Sequence, residues 1–440
     1  MEKESKPNLP IADAVDSFLH SVRDIEGAAK IFKPLGHEIL QKRWKETTSL
    51  LDQIVEEIDD KDDQVRLSAQ VQFDQQFNRL ERLKNTRLPY QLEKSLFIGL
   101  FSSYDAFIGD LIKGIVAKRP ELLNKIGKKI DLSEIISAES IEDLKSSALD
   151  QYIEDFRRAS YSDQFSSLES FFGLSTLTSF KSYPDFIEAS QRRHLFTHCN
   201  GDVSQQYLDV CLSNGYQHQN AVQRGDRLEI GSEYFLRVCG VLYEVGLKLS
   251  HTLWRKVFPD EIEDADTHLS DTIYELLQNE RWDRAIEAGE FAFKQKNHSS
   301  RERQKIITVN YCIALKFSEH NSASQKILEQ EDWSDAMEDF QLAKCVLLED
   351  FDTASEIMRK IGREGKMVTE RNYHTWPLFR EFRGSDTFRK AYLEIYGKEF
   401  TEEIKKGAKE AQEDELESSN QLAEQGESGN DEAAPHRATS

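Results

Sequence analysis

Apolar residues recur through much of this chain at the three- and four-residue spacing of a helix, which predicts an all-α fold. Over residues 11–84 the recurring positions are Phe18, Val22 and Ile25, then Leu40, Leu50, Leu51, Ile54 and Ile58. An acidic break at Asp59–Asp63 separates them from a Gln-rich stretch. Arg87-Leu88-Pro89-Tyr90 is a candidate boundary, because a proline disfavours a helix continuing through the residue before it.

From Leu92 to about Val116 the period is strongest. Phe97, Leu100, Phe101, Tyr104, Phe107, Ile108, Leu111, Ile112 and Ile115 fall in one arc at 100° per residue. Asp110 falls opposite, where a solvated charge belongs. Asp105 falls inside the arc, where a carboxylate is costly unless a cation or hydrogen-bond donors meet it. It therefore needs a partner from elsewhere in the chain.

Residues 131–180 read as two further helices with Ser-rich turns. Pro184 suits a first helical turn, and Asp185 and Glu188 suit the positive end of the helix dipole. That helix runs through Arg192, Arg193 and His198 and stops at Asn200-Gly201. After a loop holding Arg224-Gly225-Asp226, Ser232 is placed to cap a long helix with the stripe Phe235, Cys239, Leu242, Val245, Leu249 and Leu253.

Residues 270–362 repeat weakly. Arg281-Trp282-Asp283-Arg284-Ala285-Ile286-Glu287 resembles Asp332-Trp333-Ser334-Asp335-Ala336-Met337-Glu338, and Phe351-Asp352-Thr353-Ala354 echoes the aromatic-x-x-Ala core. The pattern is similar to tetratricopeptide helix pairs, where small residues let helices approach closely, although the tryptophan spacing is irregular. The tryptophans are read as packing anchors ahead of base-stacking platforms. Beyond Phe400 the composition turns to Glu, Gln, Ser, Ala and Gly, which predicts a disordered acidic tail that acts as a solubilising linker. The expected organisation is a helical segment 1–84, a bundle 85–258, a helical-repeat domain 259–400 and the tail 401–440.

Composition narrows the function. The formal net charge of −22 argues against a protein that coats nucleic acid non-specifically. The charge is uneven, however: residues 85–258 hold 20 Lys+Arg against 22 Asp+Glu, and residues 401–440 hold 4 against 11. The segment with the Arg/His pattern is thus the least hostile to a polyanion. Five widely spaced cysteines with no C-x-x-C pair suggest a reduced cytoplasmic setting and no zinc site. The charged first ten residues lack the apolar core of a secretory leader. Asp105, Asp110 and Lys113 count against a membrane span over Ser95–Ala117. Asn297-His298-Ser299 fits the glycosylation pattern, which in a cytoplasmic chain is read as chance. Phosphate-binding glycine loops, Gly-x-Ser-x-Gly and His-Glu-x-x-His are absent from the sequence.

The remaining chemistry lies in Arg193-His194-Leu195-Phe196-Thr197-His198, followed by Cys199-Asn200-Gly201. A guanidinium grips phosphate with a planar fork, and an imidazole exchanges protons near neutrality. This Arg-x4-His pattern on a late bundle helix, with an embedded acid some 85 residues upstream, resembles the HEPN domains; the resemblance covers about residues 85–258.

The resemblance implies a metal-independent endoribonuclease in which two such domains face one cleft as a homodimer, with no cofactor and no metal. His198 would then move protons, Arg193 would stabilise charge on the phosphoryl oxygens, and Asp105 would orient one of them. Arg192 and Asn200 would contact the RNA substrate. A role in defence or stress follows from the family alone. Three other readings stay open. One is a non-catalytic dimeric scaffold whose repeat half binds a protein or peptide. In another, the family's toxins suggest pairing with a separately encoded nucleotidyltransferase. A metal held by His194 and His198 at i, i+4 is the weakest, since further ligands are not evident.

Overall fold

A computed structural model describes residues 9–58, 62–126, 135, 138–218 and 220–400. The expected tail 401–440 lies outside the described residues. Among the described residues the chain is all-α, with only two isolated β-bridges, Asp202 with Arg227 and Glu364 with Thr369. It divides into two compact units, one ending at Leu269 and one beginning at Ser270.

The first unit is built on helices α1 (Pro10–Ile58), α2 (Asp63–Lys84) and α3 (Leu88–Lys118). It continues with α4 (Ile141–Arg158), α5 (Tyr161–Phe172), α6 (Tyr183–His198), α7 (Gln205–Ser213) and α8 (Ser232–Val257). The apolar arc of α3 is buried from Phe97 to Val116, and Asp110 stands exposed as its position predicts. Phe101, Tyr104, Tyr161, Phe165 and Phe186 interlock edge-on or tilted around the centre, which ties α3 to α5 and α6.

The N-terminal segment is part of this unit. Ile11, Val15, Phe18, Leu19 and Val22 of α1 are buried against α3 and α8, and Phe18 stacks on Phe107 with centroids 4.5 Å apart. The second half of α1 leaves the body and pairs with α2. Asp62 caps α2 by accepting from the Gln64 amide at 2.8 Å. The stripe of α8 is buried as expected, but its N-cap is Gly231 rather than Ser232. The Ser232 hydroxyl instead accepts from Lys33 Nζ at 2.6 Å. The stretch 63–118 is long and apolar enough to cross a membrane by length and composition, and half of its most apolar window is buried inside the protein.

The second unit holds antiparallel helix neighbours. Helix Trp282–Phe293 packs on Arg301–Phe317, and Glu338–Leu347 packs on Phe351–Ile361. Trp282 and Phe351 each stand first in a helix, with Ala285 and Ala354 buried one turn on. The Trp333 copy of the motif is different. Ser334 and Asp335 form a turn, the Ser334 amide and hydroxyl both bond Asp332, and Trp333 anchors itself by donating to the Leu328 carbonyl at 2.8 Å. The resemblance between the two tryptophan segments therefore does not correspond to two equivalent helices.

Candidate functional site

Helix α6 carries the Arg/His pattern, and three features fix where it ends. The Cys199 and Gly201 amides both donate to the Leu195 carbonyl, at 2.7 and 3.1 Å. Asn200 and Gly201 take positive φ of 53° and 89°. A Cβ on Gly201 would lie 2.9 Å from the Phe196 ring and 3.0 Å from the Leu228 carbonyl, so only glycine fits there. The loop then pairs backbone to backbone with residues 226–228, above a small core of Leu195, Val203, Tyr207 and Cys211. His198 thus stands in the last turn of α6, exposed, with a rigid loop behind it.

Asp105 meets the partner its position demanded. Arg193 Nη2 lies 4.0 Å from Asp105 Oδ2, and the Tyr161 hydroxyl donates to Asp105 Oδ1 at 2.9 Å. Burial pushes the Asp105 carboxyl above its usual range, while the Tyr161 hydrogen bond and the Arg193 and Arg157 cations pull it back. Arg157 lies flat across α3, its guanidinium donating to the Asp105 and Ala106 carbonyls. It can do so because Gly109 offers no Cβ where the guanidinium sits. Arg193 is about one quarter exposed, and its Nε is buried with no protein partner.

The two imidazoles of α6 form a pair. His194 and His198, one turn apart, have ring centroids 4.7 Å apart. Burial first, then the neighbouring His198 and Arg193 charges, lower the pKa of His194. His198 is joined to Arg193 through His194, which feels both. Among the described residues no group of three or more His, Cys, Asp or Glu is placed to hold a metal ion.

Arg192 departs from the expectation that it binds phosphate. It is 9 % exposed and points inward. Its Nε donates to Glu188 Oε1 at 2.7 Å, Nη1 to the Glu229 carbonyl at 3.2 Å, and its guanidinium lies 3.8 Å from the centre of the Tyr234 ring. Glu188 also accepts from the Tyr207 and Tyr234 hydroxyls, both at 2.7 Å. Glu188, which its spacing places at the positive end of the helix dipole, is instead the buried hub of this network, and the acid at the surface is Asp185, paired with Arg237 at 2.8 Å. The i, i+4 spacing of Glu188 and Arg192 was the available signal.

Asn200 is exposed on the loop, and its backbone carbonyl accepts from Arg227 Nη2 at 3.2 Å. Arg227 also lines a cleft of about 480 Å³ with Lys33, His37, Arg87, Tyr90 and Glu93. The cleft is therefore one residue contact away from the end of the Arg/His helix. Comparison with protein-family models, with curated proteins and with solved structures finds no match. What fold and site define on their own is an all-α protein with an acid-held arginine and a surface histidine pair at one helix end.

Proposed function

We propose that this protein is a metal-independent endoribonuclease of the HEPN type, acting as a homodimer whose two Arg193/His198 sets face one cleft. The observation that carries the reading is the Asp105–Arg193 pairing between α3 and α6, with the exposed His198 in the last turn of the same helix. The half-buried Asp105 carboxyl fixes the arginine in place, and the exposed quarter of Arg193 is the part an incoming anion can reach.

In this mechanism the ribose 2′-OH attacks the adjacent phosphorus, forming the 2′-O–P bond as the P–O5′ bond breaks. A His198 imidazole accepts the 2′-OH proton, and a second proton reaches the leaving 5′-oxygen, where the His198 of a second copy stands ready as acid. Arg193 meets the charge that grows on the non-bridging oxygens. Asp105 positions Arg193. Arg192 holds α6 in place rather than touching RNA, and Asn200 borders the scissile site. The products are a 2′,3′-cyclic phosphate and a 5′-OH, and a missing 2′-OH abolishes the reaction. The five free thiols suit a reducing cytoplasmic setting, and the second unit is the part available for a protein or peptide partner.

The test is a labelled RNA and its twin with one 2′-deoxy sugar at the mapped cleavage position. Cleavage of the first alone, leaving cyclic-phosphate ends, supports the reading; equal cleavage of both refutes it. The second reading is a non-catalytic scaffold. It is favoured by the burial of Arg192, which removes one of two motif cations from the surface of a chain carrying −22. The same assay decides it, because a scaffold leaves both RNAs intact.

A further inference from the structure

The second half of α1 and all of α2 form a two-helix arm that is poorly covered. Over the arm the buried side chains are Thr47, Leu51 and Ile54 on α1 and Ala69 on α2. These positions, with half-buried Leu40, Phe73, Leu80 and Leu83, make the seam between the two helices. Outside the seam, Leu35, Ile39 and Leu50 are exposed along one flank of α1, and Leu67 is 66 % exposed on α2. Helices in proteins draw their stability from packing more than from propensity, and this arm packs one seam only.

Its charges are sorted along its length. The half near the body carries six cations (Lys42, Arg43, Lys45, Arg79, Arg82, Lys84) against Glu38, Glu46 and Glu81. The far half of the sequence carries eight acids (Asp52, Glu56, Glu57, Asp59, Asp60, Asp62, Asp63, Asp74) against Lys61 and Arg66, and Arg66 is already paired with Asp63. Net charge thus runs from +3 at the base to −6 toward the tip. A helix of 22 residues spans about 33 Å, so the centres of its two halves lie about 16 Å apart, roughly two screening lengths at physiological salt, and each half acts as a separate patch.

We propose that this arm pairs antiparallel with the same arm of a second copy. A two-fold axis across the middle of the arm sets each basic base against the partner's acidic tip and buries the exposed α1 flank. A parallel pairing would set base against base and tip against tip. An isologous contact is self-complementary by necessity, and a gradient that changes sign halfway meets that requirement only in the antiparallel sense. This inference does not rest on the ribonuclease reading.

Charge exchange on the full-length protein tests it, read by sedimentation velocity over a concentration series. A base-reversed variant carries Lys42→Glu, Arg43→Glu and Lys45→Glu; a tip-reversed variant carries Asp52→Lys, Glu56→Lys and Glu57→Lys. All six positions are exposed, and far-UV circular dichroism checks that each variant stays helical. The wild type is expected to dimerise, each variant alone to dimerise about tenfold or more weakly, and an equimolar mixture of the two to recover a heterodimer. A wild type that stays monomeric at tens of micromolar overturns the proposal. So does a dimer indifferent to base reversal, which would place the contact on another surface or in a parallel arrangement.

Discussion

Arg193 of α6 and Asp105 of α3 face one another at 4.0 Å, and the carboxylate is held on its other side by the Tyr161 hydroxyl. The acid that interrupts the apolar arc of α3 is there to meet the arginine of the motif. Its charge is nevertheless partly uncompensated, since burial outweighs its partners and raises its pKa.

That balance has a sign. A carboxyl whose folded pKa is raised favours the folded state while protonated and costs stability once ionised. Asp105→Asn is therefore expected to fold at pH 7–8 with thermal stability equal to or above wild type. The difference should shrink as pH falls through the raised pKa toward 3.8. Melting curves from pH 3.5 to 8 check it; a variant clearly less stable than wild type at pH 8 would mean that the pairing outweighs the burial.

The Glu188 hub predicts the opposite behaviour. Glu188→Ala leaves the buried Arg192 cation with its carboxylate partner gone and two phenols unsatisfied, and should cost about 3–5 kcal/mol in chemical denaturation. Arg192→Lys should not restore the network, because an ammonium cannot both bond Glu188 and lie flat on Tyr234. Wild-type stability in Glu188→Ala would show that the hub is not built as described.

At the end of α6, Gly201→Ala should destabilise by about 1 kcal/mol or more, because φ is positive and the Cβ meets Phe196 and a carbonyl. Asn200→Gly should leave stability unchanged or slightly raised, since glycine accepts the left-handed conformation that Asn200 already holds. If Asn200→Gly is fully folded yet slower on RNA, the Asn200 side chain touches substrate. Unfolding curves beside initial rates separate the two effects.

The histidine pair can be watched directly. His194 should titrate below 6.5 in an NMR series, and Arg193→Ala should move it upward by removing one of the cations that oppose its protonation. A His194 that titrates above 6.5, or is unmoved by the arginine variant, would contradict the arrangement.

Much of this was legible in the sequence because it follows from periodicity. The arc of α3, the stripe of α8, the stop at Asn200-Gly201 and the need of Asp105 for a partner all come from residue spacing. What spacing left ambiguous was which neighbour in a run faces inward. Arg192 and Arg193 are adjacent and chemically identical, yet one is buried on Glu188 and the other reaches Asp105; 100° of helix rotation separates them. Glu188 looked like a dipole acid because it lies near a helix start, and its burial depends on Tyr207 and Tyr234 from later elements. Ser232 stands as the first residue of its helix, and the cap position falls to Gly231. The Trp333 repeat failed for a similar reason, since an Asx-type turn at Asp332 competes with helix for the same residues.

We propose that Arg193 and His198 together cleave RNA. The most direct measurement is cleavage of labelled RNA in EDTA by wild type, Arg193→Ala and His198→Ala, with the three proteins matched for fold and oligomeric state. Cleavage by the wild type is expected, with a loss of at least about a hundredfold in each variant. Equal cleavage by all three, or none by any, would contradict the proposal.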